Sequence, residues 1–158
     1  MKVTVIGAGA AGLCCALIAK QQFRADVRIL EKGAEREMPG VGVALLPFSI
    51  AEVRLLDREL YPSYAEMFIQ IPRQTEVFAG LSKDTKLVRT SRFQENQYAG
   101  VKRSQLLTFL KEAVKRAEIP VTYEADVTPE RVRAEKDAVD LLIGADGAGS
   151  TEIGRAHV

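Results

Sequence analysis

The sequence predicts an α/β fold built on a parallel sheet, and three observations support this prediction. Residues 2–6 (KVTVI) are rich in β-branched side chains, and a glycine-rich turn and an apolar helical stretch to about Gln22 follow directly. Residues 26–30 (DVRIL) form a second strand candidate, which completes a strand–helix–strand unit. An apolar run at 141–143 precedes a glycine-containing turn, and we expect it to be a strand buried on both faces.

The predicted strands also give an order for the sheet. They lie near 121–124, 26–30, 2–6 and 140–143. Parallel strands are joined by right-handed crossovers, so we expect them side by side in the order 3-2-1-4, with the last strand as an open edge. Alternating runs near 67–71, 74–79 and 87–90 predict a small β-rich insertion within 61–101.

Composition narrows the possible functions of the chain. The 158 residues include 22 basic and 21 acidic side chains, so no charge excess indicates nucleic acid or an anionic membrane as a partner. No membrane span is expected, and without a signal segment after Met1 we expect a cytoplasmic protein. Cys14 and Cys15 are interpreted as small core residues of a helix, and with one histidine, His157, no metal site is expected.

The glycine-rich turn has the G-x-G-x-x-G spacing of a dinucleotide-binding motif. It comprises Gly7, Gly9, Ala10, Ala11 and Gly12, with Ala8 between the first two glycines. The first glycine permits a sharp turn, the second lets a pyrophosphate approach the backbone, and the third permits close helix–strand contact. The helix N-terminus offers free N–H groups to the phosphates. The alternative is a glycine-rich turn without a ligand.

An acidic residue lies at the distance from the glycine motif at which dinucleotide-binding proteins bind the ribose. Glu31 follows Gly12 by 19 residues, at the end of the second predicted strand. Its carboxylate can accept hydrogen bonds from an adenosine ribose and would repel a 2′-phosphate. The strand, the turn, the helix and Glu31 together predict a Rossmann-like nucleotide site.

The stretch at 39–47 (PGVGVALLP) is too broken by glycine for a helix and too apolar for a plain surface loop. Here the chain resembles the FAD-dependent aromatic-ring hydroxylases of the p-hydroxybenzoate and salicylate hydroxylase type. In that family the ribose-binding glutamate precedes an arginine-containing link and a glycine-rich stretch along the flavin. The resemblance implies FAD contacts from Lys32, Arg36, Gly42 and Val43. Phe48 departs from the family's asparagine.

An arginine precedes the next strongly predicted helix. Ser104 is the predicted cap, Pro120 is the predicted stop, and apolar residues recur at helical spacing between them. Cationic Arg103 near the positive end of the helix dipole suits an anion or polyol, although an arginine judged alone in this position is more often a solvated surface residue. Its R-x-x-L setting resembles the hydroxylases, in which such an arginine contacts FAD.

The turn after residues 141–143 is the third motif of the resemblance. Its sequence at 140–147, DLLIGADG, is similar to the hydroxylases' Asp-Gly motif, which implies that Asp146 and Gly147 help to hold FAD. Ligands of open α/β sheets collect at the carboxyl ends of the strands, where this turn lies.

The resemblance implies a function for the parent protein. NADH or NADPH would reduce FAD, and the reduced flavin with oxygen would hydroxylate an aromatic small molecule. No residue is assigned as a catalytic acid or base. The alternatives are another FAD-dependent oxidoreductase, such as an epoxidase or reductase; a nicotinamide dehydrogenase, which would lack Arg103 and the Asp-Gly turn; and an inactive truncated fragment.

The family pattern also predicts the domain limits. We expect residues 1–150 to be a fragment of an FAD-binding domain, with 61–101 on the substrate side and the C-terminal half missing. Residues 151–158 depart from the pattern, and IGRAHV at 153–158 can be encoded by a common sequencing-adapter sequence. We therefore expect this tail to be non-native.

Overall fold

The structure, a computed structural model, describes residues 1–35, 42–71, 75–79, 87–92, 98–125, 127–147 and 150. Its strands are β1 (Lys2–Ile6), β2 (Asp26–Leu30), β3 (Gly42–Leu45), β4 (Ile69–Ile71), β5 (Thr75–Ala79), β6 (Leu87–Arg92), β7 (Tyr98–Lys102), β8 (Val121–Thr122) and β9 (Leu141–Gly144). Its α-helices are α1 (Ala10–Phe23), α2 (Pro47–Leu56), α3 (Arg103–Arg116) and α4 (Pro129–Ala138). A 3-10 helix spans Tyr61–Met67.

The main sheet confirms the predicted α/β class and the predicted strand order. Its strands lie in the order β8-β2-β1-β9, and every pairing is parallel. Val5 in β1 stands beside Ile29 in β2 and Ile143 in β9. The carboxyl ends of three strands therefore meet at one edge, directly above the glycine turn.

The core lies between one face of this sheet and helices α1 and α3. Alternate residues of the two central strands, Val3 and Val5 in β1 and Val27 and Ile29 in β2, are at most 2% exposed. The helix α1 packs against these strands, and α3 packs on α1 through an apolar stripe of Leu106, Leu107, Phe109, Leu110, Ala113 and Val114. These six residues follow helical spacing, so burial of the apolar stripe explains why α3 forms where the sequence predicts a helix.

The β-rich region consists of antiparallel strands. The strands β3, β7 and β4 form one sheet, in which β7 is central, and β5 pairs with β6 as a hairpin. The predicted strands near 67–71, 74–79 and 87–90 are thus confirmed. The strands β3 and β7 have no counterpart among the predicted elements, because each contains a glycine and forms through pairing with the other.

The sequence also did not predict the helix α4. It begins with two ordinary helix-start signals, because Pro129 occupies its first turn and the Thr128 hydroxyl accepts a hydrogen bond from the Arg131 amide at 3.2 Å. Its only buried residue, Glu135, is charged. The helix thus has no apolar stripe that periodicity could detect.

Two detailed predictions are wrong. The helix α3 begins at Arg103, with Lys102 as its cap residue, so Ser104 lies inside the first turn. The reason is that β7 continues to Lys102 and enters the helix without a connecting loop. The strand β9 is not buried on both faces: Leu141 is 43% exposed, because β9 is the edge of the sheet among the described residues.

The helix predicted over 49–60 forms as α2, shifted toward the N-terminus. Val53 and Leu56 are buried within it, and Leu60 is buried just after it. Among the helices of the described residues, none is long and apolar enough to cross a bilayer.

Candidate dinucleotide-binding site

The first glycine of the motif makes a turn that only glycine accommodates. Gly7 has a φ of +105°, and its amide donates to the carbonyl oxygen of Leu30 at 2.8 Å. A Cβ at Gly7 would lie 2.3 Å from the carbonyl oxygen of Ala145. Glycine is therefore needed both for the backbone conformation and because the segment after β9 crosses directly over the turn.

The other two glycines differ in what surrounds them. A Cβ at Gly12 would lie 1.9 Å from the carbonyl oxygen of Gly7, so this glycine lets α1 pack closely on the turn. A Cβ at Gly9 would meet nothing within 4 Å, and the φ of Gly9 is an ordinary −74°. Protein packing therefore does not require glycine at position 9, and the space above it is open to a ligand.

The turn leads directly into the N-terminus of α1. Gly9 is the cap residue, it provides no side-chain cap, and the first helical bond runs from the Leu13 amide to its carbonyl oxygen at 3.0 Å. The amides of Ala10, Ala11 and Gly12 consequently have no acceptor within the helix. This end of α1 presents donors and a partial positive charge, as an anion site requires.

Glu31 ties the glycine turn to the end of β2. One carboxylate oxygen accepts from the Ala8 amide at 2.7 Å, and the other accepts from the Gly33 amide at 2.7 Å. The sequence suggested only a role in ribose binding, and the structure adds a role in holding two backbone segments. Each carboxylate oxygen can accept a further hydrogen bond, so this geometry leaves capacity for ligand hydroxyls.

A cleft of about 380 Å³ opens above the carboxyl ends of β1, β2 and β9. Seven of the predicted site residues line it: Gly7, Gly9, Glu31, Lys32, Arg103, Asp146 and Gly147. They come from four separate segments of the sequence. The cleft brings together the glycine turn, the acidic residue, the arginine and the Asp-Gly turn.

The remaining predicted residues lie elsewhere. Ala10, Ala11 and Gly12 form the first turn of α1 beside the cleft. Gly42 and Val43 belong to β3, where they pair with Lys102 and Val101, and they do not line the cleft. Arg36 lies outside the described residues, as do residues 39–41 and the tail 151–158.

The helix α3 forms another wall of the cleft. Arg103 is the first residue of this helix, and its side chain is half-buried in the cleft lining. Ser104, Thr108 and Lys111 also line the cleft and follow one another at helical intervals of four and three residues. The sequence carried this signal, because polar residues at this spacing form one stripe beside the apolar face.

Tyr123 closes the far end of the cleft, and it was not predicted as a site residue. Its ring lies below the Lys111 ammonium, which is 5.7 Å from the ring centroid. Burial raises the pKa of the Tyr123 hydroxyl, and the nearby carboxylates of Glu35 and Glu31 raise it further. The phenol is therefore neutral near pH 7 and can act as a hydrogen-bond donor.

Comparison with known proteins agrees with this architecture. Residues 5–36 match the sequence profile of a family described as an NAD(P)-binding Rossmann-like domain. No curated protein matches the chain.

Solved structures resemble the chain over most of its length. FqzB is 17% identical, with a TM-score of 0.62 over 81% of the chain. A Y270A mutant of 2-methyl-3-hydroxypyridine-5-carboxylic acid oxygenase is 22% identical, with a TM-score of 0.60 over 79% of the chain. CtdE, solved with FAD and a substrate, is 18% identical, with a TM-score of 0.60 over 81% of the chain.

These likenesses establish the fold alone. The chain spans 30% of FqzB, 32% of the oxygenase and 31% of CtdE. It is thus similar to a part of each of these longer proteins, and that part is a Rossmann-like α/β unit with a small antiparallel sheet.

Proposed function

We propose that this chain is the FAD-binding part of a flavin-dependent monooxygenase that uses NADH or NADPH and oxygen to hydroxylate an aromatic small molecule. Residues 1–150 would form the FAD-binding unit, and 61–101 would face the substrate. The observation that carries the proposal is the meeting of Arg103 and the Asp146–Gly147 turn with the glycine turn in one cleft.

The residues of the cleft suit the chemical groups of FAD. Gly9 at the donor end of α1 and Arg103 line the same cleft, and both groups suit a diphosphate. Glu31 provides acceptors for ribose hydroxyls at the end of β2. The open space at Gly9 lets a phosphate approach the backbone.

The role of this chain in such chemistry is binding and orientation. FAD, when bound, supplies the redox step by accepting a hydride from reduced nicotinamide and reacting with oxygen. The protein residues described here hold the phosphates, fix the ribose and keep the glycine turn rigid. The resemblance to CtdE, which was solved with FAD, and to a protein named as an oxygenase supports the proposal.

A simple nicotinamide-binding domain is the second candidate, favoured by the profile match over 5–36. The two candidates differ in the ligand that the purified chain retains. Visible flavin absorbance, or quenching of flavin fluorescence when FAD is added, supports FAD. Binding of NADH or NADPH without any FAD binding supports the alternative and contradicts our proposal.

Gly9→Ala tests the cleft itself. The added methyl group meets no protein atom within 4 Å, so we expect normal folding. The methyl group would occupy ligand space, and we expect FAD affinity to fall about tenfold or more by titration. Gly100→Ala in β7 is the matched control, because its Cβ would meet only the Ile69 carbonyl oxygen at 3.9 Å and it lies outside the cleft.

The two glycine variants together test whether FAD binds in the cleft above the glycine turn. The proposal predicts that Gly100→Ala binds FAD as the wild type does. If Gly9→Ala also binds FAD with unchanged affinity, the cleft above the glycine turn is not the FAD site.

A further inference from the structure

The residues of the cleft follow the order of the strands at the carboxyl edge of the main sheet. The glycine turn comes after β1, Glu31 comes after β2, and Tyr123 comes just after β8. These three strands are neighbours in the order β8-β2-β1. Adjacent strands lie about 4.8 Å apart, so β8 is about 10 Å from β1, with β2 between them.

Backbone hydrogen bonds hold Tyr123 beside the segment that contains Glu31. The Glu31 amide donates to the carbonyl oxygen of Thr122 at 2.8 Å. The Glu124 amide donates to the carbonyl oxygen of Gly33 at 3.0 Å. Tyr123 lies between the two bonded residues Thr122 and Glu124. The hydrogen-bonded pairing therefore continues past the end of β8 and keeps Tyr123 next to Glu31.

The Tyr123 side chain gives the cleft an aromatic surface. It is half-buried, and no other described residue of the cleft lining is aromatic. The Lys111 ammonium is 5.7 Å from the ring centroid, near the limit of about 6 Å for a cation–π contact, so it does not cover the ring closely. Burial and the carboxylates of Glu35 and Glu31 raise the pKa of the hydroxyl, so the ring is uncharged at neutral pH. Such a ring suits a flat heterocycle.

We propose that the purine base of the bound dinucleotide packs against the Tyr123 side chain. This inference rests on the proposed function, because it requires a nucleotide whose diphosphate lies at the glycine turn. In a nucleotide the ribose links the phosphate to the base. These three groups match the glycine turn, Glu31 and Tyr123 in the order of the strands β1, β2 and β8. The base contact thus comes from a residue outside the sequence motifs.

The experiment compares Tyr123→Ala with Phe23→Ala in the full chain. Phe23 is 64% exposed at the end of α1 and does not line the cleft, so its truncation is the matched control. FAD is titrated directly. ADP and ribose 5-diphosphate, which lacks the base, are titrated as competitors against bound FAD. We expect Tyr123→Ala to lose about tenfold in affinity for FAD and ADP and little in affinity for ribose 5-diphosphate, because only the base contacts the ring.

Two further measurements test the contact itself. Tyr123→Phe retains the ring, so its ADP affinity should stay close to the wild-type value. In the wild type, nuclear Overhauser effects should join the adenine protons of ADP to a tyrosine ring, and Tyr123→Phe should abolish the effects to tyrosine. Circular dichroism establishes that each variant is folded. If Tyr123→Ala does not fold, the Overhauser effects in the wild type decide the question.

Each outcome has a distinct meaning. If the wild type binds neither FAD nor ADP, the proposed function fails and this inference fails with it. If the wild type binds ADP and Tyr123→Ala matches Phe23→Ala, only the role of Tyr123 is overturned. Equal losses for ADP and ribose 5-diphosphate would also overturn it, because they would indicate a general change in the cleft. Adenine protons without any Overhauser effect to a tyrosine ring would contradict the contact directly.

Discussion

The two faces of the main sheet are covered by helices of opposite character. On the apolar side, α1 packs against β1 and β2, and α3 packs on α1 and buries six apolar side chains, among them Phe109 and Leu110 at 0% exposure. The helix α4 lies on the other face and buries only Glu135, which is 5% exposed. The helix α4 contacts β9 and reaches β1 and β2 through Glu135, whereas α3 packs on α1.

The contacts of Glu135 explain how a charged helix can pack on a sheet. Its carboxylate accepts from Arg28 of β2 and, at 3.0 Å, from Nε of Arg131 one turn earlier on α4. Arg28 also donates through Nε to the hydroxyl of the fully buried Thr4 at 3.0 Å. A buried carboxylate is tolerated when such partners satisfy it, and it is costly when one partner is removed.

The difference teaches that one sheet can be stabilised by the hydrophobic effect on one face and by paired charges on the other. The apolar face should respond to changes in side-chain volume. The charged face should respond to changes in charge and ionic strength. The following predictions test this distinction, from the largest expected effect to the smallest.

Phe109→Ala should have the largest effect, because it removes a fully buried ring that packs against Tyr61 and Tyr64 and leaves a cavity between α3 and the 3-10 helix. We expect a loss of about 3–5 kcal/mol in the free energy of unfolding, measured by urea denaturation. Gln105→Ala, an exposed change on the same helix, is the control and should stay within about 0.5 kcal/mol of the wild type. A loss below about 1 kcal/mol for Phe109→Ala would contradict an apolar origin of the α3 packing.

Glu135→Gln should have a smaller effect on the other face. It removes the charge that Arg28 and Arg131 share, but the Arg28 side chain is 44% exposed and can turn to water. We therefore expect a loss of about 1–2 kcal/mol, less than for a fully buried pair. Amide hydrogen exchange should show the loss of protection in α4 first.

Asp137→Asn is the matched control for this prediction, since it neutralises an exposed carboxylate of the same helix. High salt should reduce the difference between Glu135→Gln and the wild type, because salt screens the pair. Equal unfolding free energies for the two variants would mean that the charge cluster does not hold α4.

The smallest expected effect is a pH-dependent loss of stability caused by Cys14 on α1. Burial raises the pKa of its thiol from an ordinary value of 9.0 to about 11, with a further contribution from Cys15. Between these two pKa values the unfolded chain loses the thiol proton and the folded chain retains it. The free energy of unfolding should therefore be unaffected below pH 9 and should fall as pH rises toward 11.

Urea denaturation at about pH 8 and about pH 10 measures this loss, which we expect to be about 1 kcal/mol at the higher pH. Cys14→Ala should remove most of the pH dependence, and Cys15→Ala should leave most of it in place. If Cys14→Ala shows the same decline as the wild type, other groups cause it.

Local sequence signals predicted a large part of the fold. The strand at Lys2–Ile6, the turn at Gly7 and the strand at Asp26–Leu30 form as predicted, because β-branched residues and glycine restrict the backbone locally. The four-strand order was predictable because parallel crossovers allow few topologies. Motif spacing identified Gly7, Gly9 and Glu31 among the residues that line the cleft, and the family resemblance added Lys32, Arg103, Asp146 and Gly147.

Other elements depend on contacts that no local pattern encodes. The strand β7 forms because β3 and β4 pair with it on both sides, although Gly100 weakens its strand propensity. The helix α4 packs through Glu135, so an argument based on apolar periodicity misses it. Ser104 is not a cap because β7 extends up to Arg103.

By itself, the sequence determined the parallel sheet, the glycine turn and the candidate binding residues, because backbone sterics and short-range spacing act within a few neighbouring residues. Only the tertiary structure decided which of these residues face one another. Lys111 and Tyr123 are 12 positions apart, yet they meet at the cleft because the chain after α3 joins the main sheet as β8, which pairs with β2. Packing sets that geometry, and local sequence patterns do not encode it.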